Sequence, residues 1–125
     1  MNETTFKVNS KLLPVDFPRE FDAHIYFASE ELNAATLLRD KMKSHFKDVV
    51  FFVGDMITVP IGPHPMPMFE ANFPQECFTE VVLWLMRERE NFSVLVHPLT
   101  GDDLYDHTQG AMWLGNSVEL KYDVF

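Results

Sequence analysis

Apolar residues recur along this chain with two different periods, and the switches between them mark out its elements. From Phe21 to Phe27 they alternate. Ala23, Ile25 and Phe27 share one face and Asp22, His24 and Tyr26 the other, the pattern of a half-buried strand. From Leu32 the interval becomes three and four, through Ala35, Leu38, Met42 and Phe46, which is one stripe of a helix. Ser29 suits its N-cap, Glu30 and Glu31 its first turn, and Lys41, Lys43 and Lys47 its far end, each sign matching the helix dipole. A helix is expected over 29–47. Val49 to Val53 reads as a second strand, with Met56 to Val59 continuing it past Gly54. The run Pro60-Ile61-Gly62-Pro63-His64-Pro65 is turn chemistry. Alternation returns from Met66 to Phe73, with Phe69, Ala71 and Phe73 facing one way and Met66, Met68 and Glu70 the other. Pro67 argues mildly against a central position for this strand. Pro74 opens a second helix, striped by Phe78, Val81, Val82, Leu85 and Met86 and ended by Asn91 in the left-handed conformation. Phe92 to His97 is a fourth strand, Val94 and Val96 opposing Ser93, Leu95 and His97. A polar loop from Pro98 to Thr108 follows, and Val118, Leu120 and Tyr122 alternate as a fifth strand.

The order βαββαβ, then an extension, predicts an α+β, ferredoxin-like fold: a four-stranded antiparallel sheet with two helices on one face and a C-terminal extension. The second face is open, or covered by a partner subunit or by that extension. Residues 1–20 lack a period and contain Pro14 and Pro18, so they read as an arm or tail, with a single domain over 21–125.

Composition narrows the reading. A chain of 125 residues, 46% apolar and with twelve Phe, suits one domain with an adequate core. The net charge of −9, from 19 acidic against 10 basic residues, repels phosphate backbones and argues against nucleic acid as a partner. One cysteine, Cys77, allows no internal disulfide and reads as packing. No segment approaches the ~20 apolar residues of a membrane span, and no basic region precedes an apolar stretch at the N-terminus. The expectation is a cytoplasmic protein.

In this topology the first strand lies between the third and fourth, antiparallel to both. His24, Glu70 and His97 then project from the same face at the same end. Two histidines and a carboxylate are the composition of a non-haem Fe(II) site with open positions. His107, in the loop, is a further ligand or an acid/base group, with Asp106 a candidate to orient it. His64 begins the third strand and lies roughly 20 Å from Glu70 if that strand is extended. It reaches the site only if the strand begins later, the loop folds back, or a second subunit donates it. Each residue also has a plain reading: a strand histidine satisfied by a hydrogen bond, Glu70 as a surface acid, Met66 and Met68 as a dimer face. His45, beside lysines at a helix end, is structural or solvated, and the spacing matches no compact metal motif.

Several separated blocks resemble the DOPA 4,5-dioxygenase family of fungi and bacteria. They are Phe21-Asp22-Ala23-His24-Ile25-Tyr26-Phe27, then Gly62-Pro63-His64-Pro65 with Met68-Phe69-Glu70, and Trp84-Leu85. The most specific is Leu95-Val96-His97-Pro98-Leu99-Thr100-Gly101-Asp102-Asp103, with Asp106-His107-Thr108 and Trp113-Leu114-Gly115 after it. The resemblance spans about residues 21–120. It implies a ferredoxin-like fold and an extradiol-type dioxygenase opening the ring of L-DOPA or a similar catechol with dioxygen at Fe(II), which another divalent metal can replace on purification. The family's histidine blocks fall on His24, His64, His97 and His107. On this reading His24, Glu70 and His97, or three of the histidines, hold the metal. His107 or His64 exchanges a proton with the catechol, and Tyr26 and Trp113 flank its ring. The partners are a small aromatic substrate, dioxygen and, from the open sheet face, a second copy in a homodimer. The competing readings are a non-catalytic ferredoxin-like dimer binding a small aromatic ligand, and a different metal-dependent reaction on the same scaffold.

Overall fold

The computed structural model describes residues 18–49 and 51–125, so most of the expected N-terminal arm, and Val50, lie outside the described residues. Alternation in the first segment produces β1 (Glu20–Tyr26), followed by α1 (Leu32–His45), β2 (Phe52–Val53), β3 (Met68–Pro74), α2 (Phe78–Glu88) and β4 (Ser93–Pro98). After them come a short helix, α3 (Asp103–His107), and β5 (Met112–Leu114). The sheet order is β2-β3-β1-β4-β5, every pair antiparallel. The first four strands have the expected ferredoxin-like arrangement, and β5 adds a fifth at the β4 edge. No helix among the described residues is long and apolar enough to cross a membrane.

One face of the sheet carries the main core. Ala23, Ile25 and Phe27 from β1 and its end, Phe69, Ala71 and Phe73 from β3, and Val94 and Val96 from β4 meet Ala35, Leu38 and Met42 of α1 and Val81, Trp84 and Leu85 of α2. Ile25, Phe69, Phe73 and Leu85 are fully enclosed, and each contributes about 1.5–3 kcal/mol by leaving water. Cys77 packs against the rim of this core.

Local details depart from the sequence expectations. Ser29 does not cap α1: it opens a 3-10 turn (Ser29–Glu31), and the Ala28 N–H is taken by the Glu31 carboxylate at 2.9 Å. A long acid three residues on can reach back to the same orphan donor that a serine would satisfy. The buried stripe of α2 includes Trp84 and leaves Met86 58% exposed, because the larger indole wins the place under the sheet. After α2 it is Glu90, not Asn91, that takes a positive φ (57°). Met56 to Val59 does not extend β2, and Ile57 makes only an isolated bridge to Met68. The fifth strand is Met112–Leu114 rather than 118–122, and the polar loop contains α3, capped by Asp102 accepting the Tyr105 N–H at 3.1 Å.

The second face of the sheet is covered by the chain itself. Leu120, 3% exposed, joins Tyr26, Met68 and Leu95 in a small second core, with Met66, Trp113 and Val118 around it. The Lys121 N–H donates to the Pro63 carbonyl at 2.8 Å and ties this segment to the turn before β3. Of the covers considered for this face, the C-terminal extension is the one observed, and it takes up Met66 and Met68.

Candidate metal centre

His24 sits mid-strand in β1, opposite Glu70 of β3 and Leu95 of β4. His97, near the end of β4, pairs with Asp22. Period two and antiparallel register turn all four polar side chains to the second face. The Nε2 atoms of His24 and His97 stand 3.0 Å apart. His64 joins them because β3 begins only at Met68 and the preceding turn folds back. Ile61 and His64 exchange both backbone hydrogen bonds, at 3.1 and 2.9 Å, across Gly62, whose φ of 56° suits a residue without Cβ. The His64 ring lies 4.3 Å from that of His24, far closer than an extended strand would place it. His107 arrives on α3, with ring centroids 4.2 Å from His97 and 6.2 Å from His24. Asp106, 1% exposed, fastens that helix by accepting from the Thr100 N–H at 2.9 Å and the Thr100 hydroxyl at 2.6 Å. It therefore does not orient His107 directly; the Asp103 carbonyl does.

That contact decides a tautomer. His107 Nδ1 lies 2.7 Å from the Asp103 carbonyl and His97 Nδ1 lies 2.8 Å from the Pro98 carbonyl. A carbonyl oxygen only accepts, so both rings carry a proton on Nδ1, and in the neutral form the lone pair is on Nε2. His64 Nδ1 bonds the Tyr26 hydroxyl at 2.7 Å. His24 Nδ1 is different: among the described residues it is the one fully buried side-chain polar atom without a hydrogen-bond partner, with Glu70 Oε1 3.8 Å away.

Burial sets the protonation. It drives His24 well below the usual imidazole range, helped by His64, His97 and His107. It takes His64 down to about 4, with His107 and His97 adding to the effect. His97 is also lowered by burial, against the opposing bond to Pro98. Glu70 is raised by burial and by Asp22. Three neighbouring imidazoles are thus neutral near pH 7, the state in which they bind metal.

Two sets of donors can each surround one ion, with ligand atoms within 4.8 Å of one another: His24, His64 and His107, and Asp22, His24 and His97. Nitrogens about 2.0–2.1 Å from a common ion can stand at the observed His24–His97 separation. Neutral rings and Nε2 atoms converging from His24 and His97 fit a divalent metal. Of the expected site residues, His24, His97, His64 and His107 come together. Glu70 is adjacent but belongs to neither set. Asp22, which the sequence did not single out, is the carboxylate of the second set; its position on the His24 face of β1 was the available signal. Tyr26 and Trp113, expected to flank a substrate, pack on each other at 5.8 Å and 30°. Tyr26 is 1% exposed, and burial together with nearby Tyr122 raises its pKa. Phe125 lies against His107, ring centroids 4.9 Å apart.

Comparison with known proteins places this chain in a family. Residues 21–124 match the model of the Dopa 4,5-dioxygenase family. The chain is 37% identical over 109 residues to a DOPA 4,5-dioxygenase of Amanita muscaria, covering 82% of this chain and 48% of that protein. It is 35% identical over 111 residues to an uncharacterized 21.2 kDa protein of Botryotinia fuckeliana, covering 80% of this chain and 60% of that one. The chain thus spans only about half to three-fifths of these fungal relatives. A crystal structure of a "putative dioxygenase" from Nostoc punctiforme superposes with a TM-score of 0.81 at 32% identity, covering 94% of this chain and 96% of that one. The histidine blocks, the ferredoxin-like core and a family match running from β1 to the last turn agree, and the chain belongs to the Dopa 4,5-dioxygenase family.

Proposed function

We propose that this chain is a dioxygenase that opens the ring of a catechol such as L-DOPA, in extradiol fashion, at an Fe(II) ion on the second sheet face. The observation that carries the reading is the 3.0 Å approach of the His24 and His97 Nε2 atoms beside the Asp22 carboxylate. Two histidines and one carboxylate leave room for two further ligands. His24, His97 and Asp22 hold the ion. Glu70, expected as a ligand, faces the other nitrogen of His24, and one imidazole cannot present both nitrogens to one ion. Glu70, 3.8 Å from that nitrogen, is placed to back His24 as the carboxylate of a carboxylate–histidine–metal arrangement when the contact tightens on metal binding.

When bound, the ion supplies Lewis acidity and a redox centre for the catechol and dioxygen. The remaining work falls to side chains. His107 Nε2, with its tautomer fixed by the Asp103 carbonyl, accepts a catechol hydroxyl proton and later returns one. His64 stays neutral and is held in place by the Tyr26 hydroxyl. The small core of Tyr26, Met68, Leu95 and Leu120 excludes water from the back of the cluster.

The test is anaerobic loading with Fe(II), addition of L-DOPA, then admission of air. The expected result is oxygen uptake and a yellow ring-opened semialdehyde. No product from L-DOPA, caffeate or protocatechuate defeats the assignment. His24→Ala and His97→Ala are expected to lose both iron and activity; stoichiometric iron retained in both means that other residues are the ligands.

A further inference from the structure

Of the aromatic pair expected to flank the substrate, Tyr26 is 1% exposed and Trp113 is half-buried against it, so a planar ring needs a further wall. The chain's last turn supplies one. Leu120 is buried in the second core and the Lys121 N–H is bonded to the Pro63 carbonyl, next to His64. From that anchor a 3-10 turn (Tyr122–Val124) crosses to α3 and sets Phe125 against His107. The turn therefore runs from the His64 side of the cluster to the His107 side. Its two aromatic side chains remain available, Tyr122 at 45% and Phe125 at 40% exposure. Phe125 thus sets a half-exposed ring against the histidine cluster, and Tyr122 stands near Tyr26, the hydrogen-bond partner of His64.

We infer that Phe125 and Tyr122 form the substrate-binding wall, against which a planar aromatic ring lies while its oxygens reach the metal cluster. The inference rests on the proposed function and adds the residues that select an aromatic substrate. Offset or edge-on contact with a ring at 4.5–7 Å is favourable beyond simple burial, and the half-exposed faces of these side chains are free to offer it. Tyr26 then acts on His64 and Trp113 on Tyr26, each one layer behind the substrate.

The experiment uses the full chain loaded with Zn(II), so that no turnover occurs, and titrates it with 4-nitrocatechol followed by its visible absorbance. Metal content and thermal midpoint are measured alongside. Phe125→Ala and Tyr122→Ala are each expected to weaken binding by about 2- to 10-fold, with zinc retained. Phe125→Leu keeps apolar packing on His107 but no ring, and should stay weak; Phe125→Trp should restore binding. If Phe125→Ala and Tyr122→Ala both bind within twofold of the parent, or Phe125→Leu binds as the parent does, the wall is elsewhere. If the parent holds zinc but not the catechol, both the wall and the catechol reading fall. If it holds no metal, the metal reading falls with them.

Discussion

Asp106→Ala should cost more than any surface substitution and should act at a distance on His107. The carboxylate is 1% exposed and receives two hydrogen bonds from one residue, Thr100, at 2.9 and 2.6 Å. Hydrogen bonds to a charged group contribute about 1.5–3 kcal/mol each. Thr100 is itself exposed, so water regains its donors in the variant and the lower figure applies, giving a total near 3 kcal/mol. In a domain of this length about 1 kcal/mol shifts the thermal midpoint by roughly 4 °C, so a fall of about 12 °C is expected. Urea unfolding of the metal-free protein measures the loss directly, with the slope unchanged. Thr100→Val removes the 2.6 Å hydroxyl bond to Asp106 and the bond that the same oxygen accepts from the Asp102 N–H at 3.2 Å, and should cost about 1.5–2 kcal/mol. The double variant should cost less than the sum of the two single losses, because both remove the same Asp106–Thr100 contact. A loss below about 0.5 kcal/mol, or strict additivity with Thr100→Val, would refute the argument that this pair fastens α3. With α3 loosened, turnover should drop while iron stays on His24, His97 and Asp22.

Further outcomes follow from the protonation of the cluster. His64 has its pKa lowered to about 4 in the folded chain, while the unfolded imidazole titrates near 6.5. Between those values the unfolded state binds the extra proton. Stability of the metal-free protein should therefore be unaffected by this group above pH 6.5 and should fall as pH drops toward 4, by about 3 kcal/mol from His64 alone. His24 and His97 act in the same direction. Urea midpoints from pH 7.5 to 4.5, compared with His64→Gln, measure it; parallel profiles would contradict the burial argument. Glu70→Gln should weaken metal affinity by about 10- to 100-fold without abolishing binding, as measured by competition with a chromophoric chelator. Complete loss of metal in that variant would make Glu70 a direct ligand.

Much of the site was legible because strands obey a period of two. His24 and His97 were placed on one face, near one end of adjacent strands, from alternation and topology alone, and their Nε2 atoms meet at 3.0 Å. Glu70 was placed beside them by the same counting and is there, 3.8 Å from His24. Counting could not tell which nitrogen of His24 it would face, since that depends on a side-chain rotamer. Nor could it place His64, because a turn closing on itself through Gly62 brings residues together without any periodic signal. Trp84, rather than Met86, filled the helix stripe because packing volume outweighs a one-position shift in the hydrophobic pattern.

Local chemistry was enough to specify the elements, their order and the face on which polar residues gather, since backbone sterics and apolar spacing act over a few residues at a time. The folded molecule alone determined where irregular segments go. The 118–122 stretch alternates like a strand, but its apolar side chains found a better partner in the uncovered face of the sheet than in an edge of it. That docking brings Phe125 against His107 and Tyr122 near Tyr26, and the Asp106–Thr100 contact fastens the helix that carries His107. Both depend on surfaces that exist only once β1, β3 and β4 are assembled.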